Sequence, residues 1–271
     1  MKIPSVLTIA GSDSGGGAGI QADLKTFVCH RVHGSSAITC VTAQNTQGVN
    51  AVVPISGAMV KNQLDTVTSD LTITALKTGM LLNAEITQTV VDFLQEKSFD
   101  NVVVDPVMVS RTGDKLINEE TIDIVINQLL SLASVITPNI YEAQIISGMT
   151  IANLDDMKTA AEKISQRGIK NVLIKGGGLK GEYQGVDLFY NGEDFQTLQT
   201  QVINTKNNHG TGCTLSAAIT ANLALGKPLF TAIAQAKEYV TEALNFNLDI
   251  GGGNGPVGHV FPLISNTSNL N

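Results

Sequence analysis

Short runs of β-branched and apolar residues alternate with helix-patterned stretches along nearly the whole chain, and few folds accommodate that order. Residues 6–10, 36–42, 73–78, 102–104, 134–136 and 172–175 read as strands, with a further short one at 51–55. Between and after them, residues 18–30, 59–69, 119–130, 214–225 and 229–248 carry helical patterns. Asn83 reads as an N-cap, followed by an apolar face of Ile86, Val90, Val91, Phe93 and Leu94. Another helix starts near Ile140. Asn153 caps one more, with Asp155 and Asp156 in the first turn, where the helix dipole favours carboxylates. Strands separated by helices imply parallel crossovers. The expected fold is therefore α/β, a mostly parallel central sheet with helices on both faces. Segments 185–190 and 195–203, joined at Asn191-Gly192, add an antiparallel edge hairpin. No repeat or linker interrupts the pattern, so residues 1–271 are expected to form one domain with a loop-rich tail at 251–271.

Composition narrows the function classes. Only 15% of residues are charged, and 26 are glycine, which suits buried parallel strands and tight loops rather than disorder. A formal net charge of −7 argues against non-specific nucleic-acid binding, which depends on neutralising phosphates. No window reaches the roughly 18 apolar residues of a membrane span. Cys29, Cys40 and Cys213 are too few for a disulfide framework and lack metal-ligand spacing. The first residues do not read as a signal peptide, and a cytoplasmic location is the expectation.

Ligands of such sheets bind beyond the carboxyl ends of the strands. That directs attention to loops 11–17, 43–47, 79–82, 105–113, 138–142, 176–178 and 204–213. The glycines of the first loop open a helix, where a polar ligand or phosphate could meet free backbone N–H groups; a flexible turn is the plain alternative. The loop lacks a P-loop lysine, and its glycines fit no dinucleotide fingerprint. Asp105 ends a buried strand and either caps a loop or helps hold a cation. Asn139 and Glu142 form a capping-box pattern, but Glu142 could also join Asp105 in holding Mg²⁺ through water. Lys175 precedes three glycines and has room to face an anion, or is simply solvated. Met80 and Met108 follow strand ends as core filler or, preferably, as a pocket wall. His30, His33 and His259 have no partner at ligand spacing. The strongest local pattern is Asn208-His209-Gly210-Thr211-Gly212-Cys213-Thr214. Its glycines permit a tight turn into a helix, so the N–H groups of Gly210, Thr211, Gly212 and Cys213 can converge as an anion hole for a transferring phosphoryl group. The same field is expected to lower the Cys213 thiol pKa. An inert cysteine in a glycine turn is the alternative.

Several segments together resemble the hydroxymethylpyrimidine/phosphomethylpyrimidine kinases, bifunctional thiamine-biosynthesis enzymes of the ribokinase-like superfamily. They are Gly11-Ser12-Asp13-Ser14-Gly15-Gly16-Gly17-Ala18-Gly19 with Asp23, Val41-Thr42-Ala43-Gln44-Asn45, Lys77-Thr78-Gly79-Met80-Leu81, Val104-Asp105-Pro106-Val107-Met108, Thr137-Pro138-Asn139 with Glu142, and the 209–214 run. The resemblance spans about residues 5–246. It implies a ribokinase-like three-layer α/β/α sandwich and two ATP- and Mg²⁺-dependent phosphorylations of a hydroxymethylpyrimidine. A homodimer, with no nucleic-acid or membrane partner, is also implied. Gln44 would then read the pyrimidine, since an amide offers both a donor and an acceptor. Met80 and Val107 would form an apolar wall, Asp23 would lie near the substrate hydroxyl, and Gly11, Ala18 and Thr42 would complete that side. Lys175, Asn139, Glu142 and Thr205 would serve ATP, and Asp105 with Glu142 the metal. Cys213 stands where many superfamily members carry an aspartate base. The family often has His after Lys-Gly-Gly, whereas this chain has Gly178, so any phosphate contact by that imidazole is absent. Pyridoxal kinase is the nearest alternative. An NAD-binding oxidoreductase and a non-catalytic binding protein are the alternatives from other classes.

Overall fold

A computed structural model of the protein describes residues 3–109, 115–179, 181–246 and 248–265. Residues 110–113 of the loop at 105–113 and 266–271 of the tail lie outside the described residues. The elements run β1 (Ser5–Asp13), α1 (Gly19–Cys29), β2 (His33–Asn45), β3 (Gly48–Pro54), α2 (Gly57–Asp70), β4 (Ile73–Thr78), α3 (Ala84–Glu96), β5 (Val102–Val104), α4 (Glu119–Ile124), β6 (Val135–Ile136), α5 (Ile140–Ser147), α6 (Leu154–Ser165), β7 (Val172–Ile174), β8 (Asp187–Tyr190), β9 (Phe195–Leu198), α7 (Thr211–Ala224), α8 (Leu229–Asn245) and α9 (Phe261–Ser265). Sheet order is β3-β2-β1-β4-β5-β6-β7-β8-β9. The strands from β2 across to β7 are parallel.

Alternation along the strands makes two cores. Leu7, Ile9, Leu76, Val102, Val104, Ile136, Val172 and Ile174 face the layer of α2 to α6. Val6, Ala75, Val103, Val135 and Leu173 face α1, α7 and α8. This is the three-layer sandwich that the resemblance implies. Local signals hold where a side chain can act on its own backbone. The Asn83 side chain accepts the Ile86 N–H at 2.9 Å, and Asn153 accepts that of Asp156 at 2.9 Å.

Three features differ from the sequence reading. β1 extends through Gly11-Ser12-Asp13, where a loop is expected, because a register shift between Ala10 and Ser12 keeps it paired with β2. The hairpin of β8 and β9 is antiparallel as expected, but β3 makes the opposite edge antiparallel too. The helix expected over 119–130 passes from α4 into a π turn at Val125–Leu129 and a 3₁₀ turn at Leu130–Leu132.

One polar contact ties the sheet to the α1 layer. Lys77 of β4 and Asp23 of α1 are both fully buried and meet at 2.8 Å, and Thr8 of β1 donates to the other Asp23 oxygen at 2.6 Å. Burial disfavours the Lys77 charge, but Asp23, Cys213 and Asp105 outweigh it and raise its pKa. Removing one partner of a buried pair strands the other charge. Lys77→Met should therefore cost about 3–5 kcal/mol in urea unfolding, and adding Asp23→Leu should recover much of that loss.

Candidate active site

The 209–214 run sits where two helices begin. Gly210 is the left-handed N-cap of α7, with φ of 82°. A β-carbon there would stand 1.8 Å from the Gly17 carbonyl oxygen, so only glycine lets α7 start against the loop that opens α1. Cys213, in the first turn of α7, lies near the Gly19 N–H at the start of α1, which favours its ionised form. Two helix N-termini thus converge on one sulfur, the arrangement that favours negative charge. The thiol is nonetheless not activated. Burial pushes its pKa up to about 11, with Asp23 and Asp105 adding to the rise and Lys77 opposing it. The lowered value expected from the sequence is corrected, because desolvation exceeds the pull of the dipoles.

Behind this turn lies a charged cluster. Lys175 meets Asp105 at 2.7 Å, and the same Asp105 oxygen accepts from Thr137 at 3.1 Å. Burial works against ionisation of Asp105, but Lys175 and Lys77 outweigh it and lower its pKa. The capping box of Asn139 and Glu142 forms in full, with bonds of 2.8 and 2.9 Å. Glu142 also accepts the Met108 N–H at 3.3 Å. Burial raises its pKa to about 7, with Lys175 opposing and Asp105 adding to the shift. A cavity of about 740 Å³ opens beside them, lined in part by Asn139, Lys175, Gly178, Thr205, Thr211 and Gly212. That volume suits a nucleotide.

Among the described residues, no three His, Cys, Asp or Glu side chains gather to hold a metal. The donors still fit hydrated Mg²⁺, which takes one or two carboxylates together with substrate phosphates. Among the described residues, the second Asp105 oxygen has only a 3.4 Å contact from Ser216. Both Glu142 oxygens already accept backbone N–H groups, so Glu142 fits through water and not directly.

On the other side of Cys213, Asp13 organises the first glycine loop. Its carboxylate accepts the N–H groups of Gly15, Gly17 and Ala18 at 2.8, 3.0 and 2.9 Å, and His209 Nε2 lies 2.9 Å away. Burial opposes ionisation of Asp13, but His209 and the amides hold its pKa below the usual carboxylate range. These amides are therefore not free to bind phosphate, as the sequence reading supposes. Gln44 reaches His209 at 3.2 Å and Thr42 at 3.1 Å. Gly11 packs against Cys40 and Met80. Val107 is half-buried at the strand end, while Met108 is fully buried in the core and forms no pocket wall. Asp23 is fully buried and pairs with Lys77 at 2.8 Å, and it lies near enough to Cys213 to raise the thiol pKa.

The sequence profile for phosphomethylpyrimidine kinase matches residues 13–258. The chain belongs to the phosphomethylpyrimidine kinase family. It is 54% identical over 263 residues to the hydroxymethylpyrimidine/phosphomethylpyrimidine kinase of Synechococcus elongatus, covering 97% of this chain and 100% of that one. Among solved structures, an ADP complex of Bacillus subtilis pyridoxal kinase is 42% identical with a TM-score of 0.89, covering 96% of this chain and 98% of that chain. The phosphomethylpyrimidine kinase of Clostridium difficile is 44% identical with a TM-score of 0.81, covering 90% and 100%. The chain is thus a phosphotransferase, and the ribokinase-like fold is that of its neighbours.

Three groups that the sequence reading gave no separate role lie around this turn: Asp13, Lys77 and the tail. Asp13 stands just before the glycine run, where a carboxylate folding back on the next amides could have been read. Lys77 is a lone cation inside an apolar strand. The tail straps the site together. Gly255 accepts the His209 N–H at 3.0 Å, Asn254 donates to the Thr46 carbonyl at 2.8 Å, and buried His259 lies 2.9 Å from the Thr214 hydroxyl.

Two outcomes follow. Gly210→Ala should lower kcat by about a hundredfold or more by parting the two helix starts, measured with ATP in a coupled assay. Glu142 carries a folded pKa of about 7 against an ordinary 4.5. The folded state therefore binds its proton more tightly, and its contribution to stability is greatest below 4.5 and is lost as pH rises through about 7. The stability of wild type minus that of Glu142→Gln, followed by thermal unfolding, should fall between about pH 5 and 7.5.

Proposed function

We propose that the chain uses ATP and Mg²⁺ to phosphorylate 4-amino-5-hydroxymethyl-2-methylpyrimidine, first to the monophosphate and then to the diphosphate. The observation that carries this reading is the convergence of the α1 and α7 N-termini on Cys213, beside a nucleotide-sized cavity. The names of the relatives supply the acceptor. In this reading ATP lies in the cavity between Asn139, Thr205 and Gly178, with Lys175 facing its phosphates. The amides of Gly210, Thr211 and Gly212 receive the charge that develops on the transferring group, which needs no reorganisation because the turn is already formed. Asp105, and Glu142 through water, would hold Mg²⁺, which would neutralise phosphate charge there. Gln44 reads the ring, Met80 and Val107 wall it, and Gly11, Ala18 and Thr42 close that side. Cys213 is a thiol at neutral pH, since its pKa stands at about 11. It orients the acceptor hydroxyl and relays its proton late, passing the S–H proton to an oxygen of the transferring phosphoryl group as it takes the hydroxyl proton, as suits a loose transition state.

The likeness to a pyridoxal kinase supports a second reading, in which a pyridine ring with a hydroxymethyl group occupies the same place. The two are separated by coupled assays with each substrate side by side. The pyrimidine should give the higher kcat/KM, and a higher value with pyridoxal would reverse the assignment. Gln44→Ala should raise the pyrimidine KM by about tenfold and leave the ATP KM within about twofold. Cys213→Ala should lower kcat by about 10²–10³ with little change in either KM; an unchanged kcat would remove Cys213 from the reaction.

A further inference from the structure

Asp13, His209, Gln44 and Thr42 form a chain of contacts from three elements, and the hydrogens cannot be distributed along it in two ways. Asp13 Oδ2 accepts from Gly17 and Ala18, and His209 Nε2 lies 2.9 Å from it. Two backbone N–H groups on this oxygen and the Gly15 N–H on the other hold Asp13 in its ionised form, so the imidazole nitrogen facing it carries a proton. Gln44 Nε2 lies 3.2 Å from that same nitrogen, and two N–H groups cannot donate to each other. Turning the amide by half a rotation resolves the conflict. Its carbonyl oxygen then shares the His209 N–H with Asp13. Its NH₂ faces the Thr42 oxygen at 3.1 Å, and the Thr42 hydroxyl donates to the Ser12 carbonyl at 3.1 Å.

Neither partner can drift from this arrangement. The Ser14 hydroxyl donates to the backbone carbonyl of Gln44 and accepts its backbone N–H, both at 2.8 Å, which fixes the stem from which the amide projects. The His209 backbone is bonded to Gly255 at 3.0 Å and Val257 at 3.2 Å. We propose that Asp13, acting through His209, fixes the sense of the Gln44 amide and thereby the way round in which the heterocycle lies. This rests on Gln44 being the partner of the ring. With the carbonyl held toward His209 and the NH₂ toward Thr42, the outer edge of the amide offers an acceptor and a donor in one order only. A ring carrying an amino group next to a ring nitrogen matches that order in one orientation. That orientation decides whether its hydroxymethyl group points to Cys213 or away. Asp13 and His209 are thus positioning residues that act on specificity.

A double-mutant cycle tests this in the full chain. His209→Phe keeps a planar ring and removes the donor, whereas His209→Gln keeps an N–H at similar reach. His209→Phe should raise the pyrimidine KM about tenfold with the ATP KM changed less than about twofold, and His209→Gln should recover most of the loss. On a Gln44→Ala background, His209→Phe should add less than about twofold, because the relay has nothing left to orient. Multiplicative losses, an equal rise in the ATP KM, or a wild-type KM for His209→Phe would overturn the inference while leaving the reading of Gln44 intact. An unchanged pyrimidine KM for Gln44→Ala alone would overturn that reading and this inference with it. Should His209→Phe not fold, Thr42→Val removes the other support of the amide and must show the same coupling to Gln44.

Discussion

The whole site depends on one close backbone approach, that of Gly210 against the Gly17 carbonyl. It leaves no room for a side chain. In return the first turns of α1 and α7 face each other, and backbone N–H groups from both helix starts lie close together. The part of the site's field that comes from backbone dipoles follows from this. The partial positive charges of two helix ends need no charged residue to supply them, and they are fixed before a substrate arrives. The tail strap and the Asp13 carboxylate serve the same contact from outside, one holding the His209 backbone and the other shaping the glycine loop.

The charges behind the turn are balanced in pairs. Lys77 faces Asp23 and Lys175 faces Asp105, each within 2.8 Å. Pairing keeps the cations charged in a buried place, at the cost of leaving no strong base there. The Cys213 pKa is high chiefly because the thiol is buried, and the Asp23 and Asp105 carboxylates add to the rise. A family in which the acceptor is an alcohol and the transition state is loose can tolerate a weak base, because geometry and charge stabilisation carry most of the barrier. The chain can therefore have a formal net charge of −7 and still present a local well for phosphate.

What the sequence makes legible is what is local. The caps at Asn83, Asn139 and Asn153 act on amides three residues away, and the apolar face of α3 needs only periodicity. The position of Cys213 at a helix start is equally local. Lys77 looks like a surface lysine in a short strand until the sheet buries it against α1. His259 is distant in sequence from Thr214, so no spacing reveals their contact. Burial also decides signs that local reasoning cannot: the dipoles at Cys213 are real, yet desolvation outweighs them. The extension of β1 through Asp13 depends on its partner β2, so the sequence offers a carboxylate able to fold onto the next amides but not the pairing that holds it there.

Phosphorus NMR of the protein with ATP, Mg²⁺ and hydroxymethylpyrimidine tests the central claim most directly. The account predicts loss of the ATP γ-phosphate signal with growth of a monoester resonance, followed by the paired resonances of a diphosphate ester. ATP consumed with only inorganic phosphate formed, or no turnover on the pyrimidine while pyridoxal gives its monoester, would contradict it.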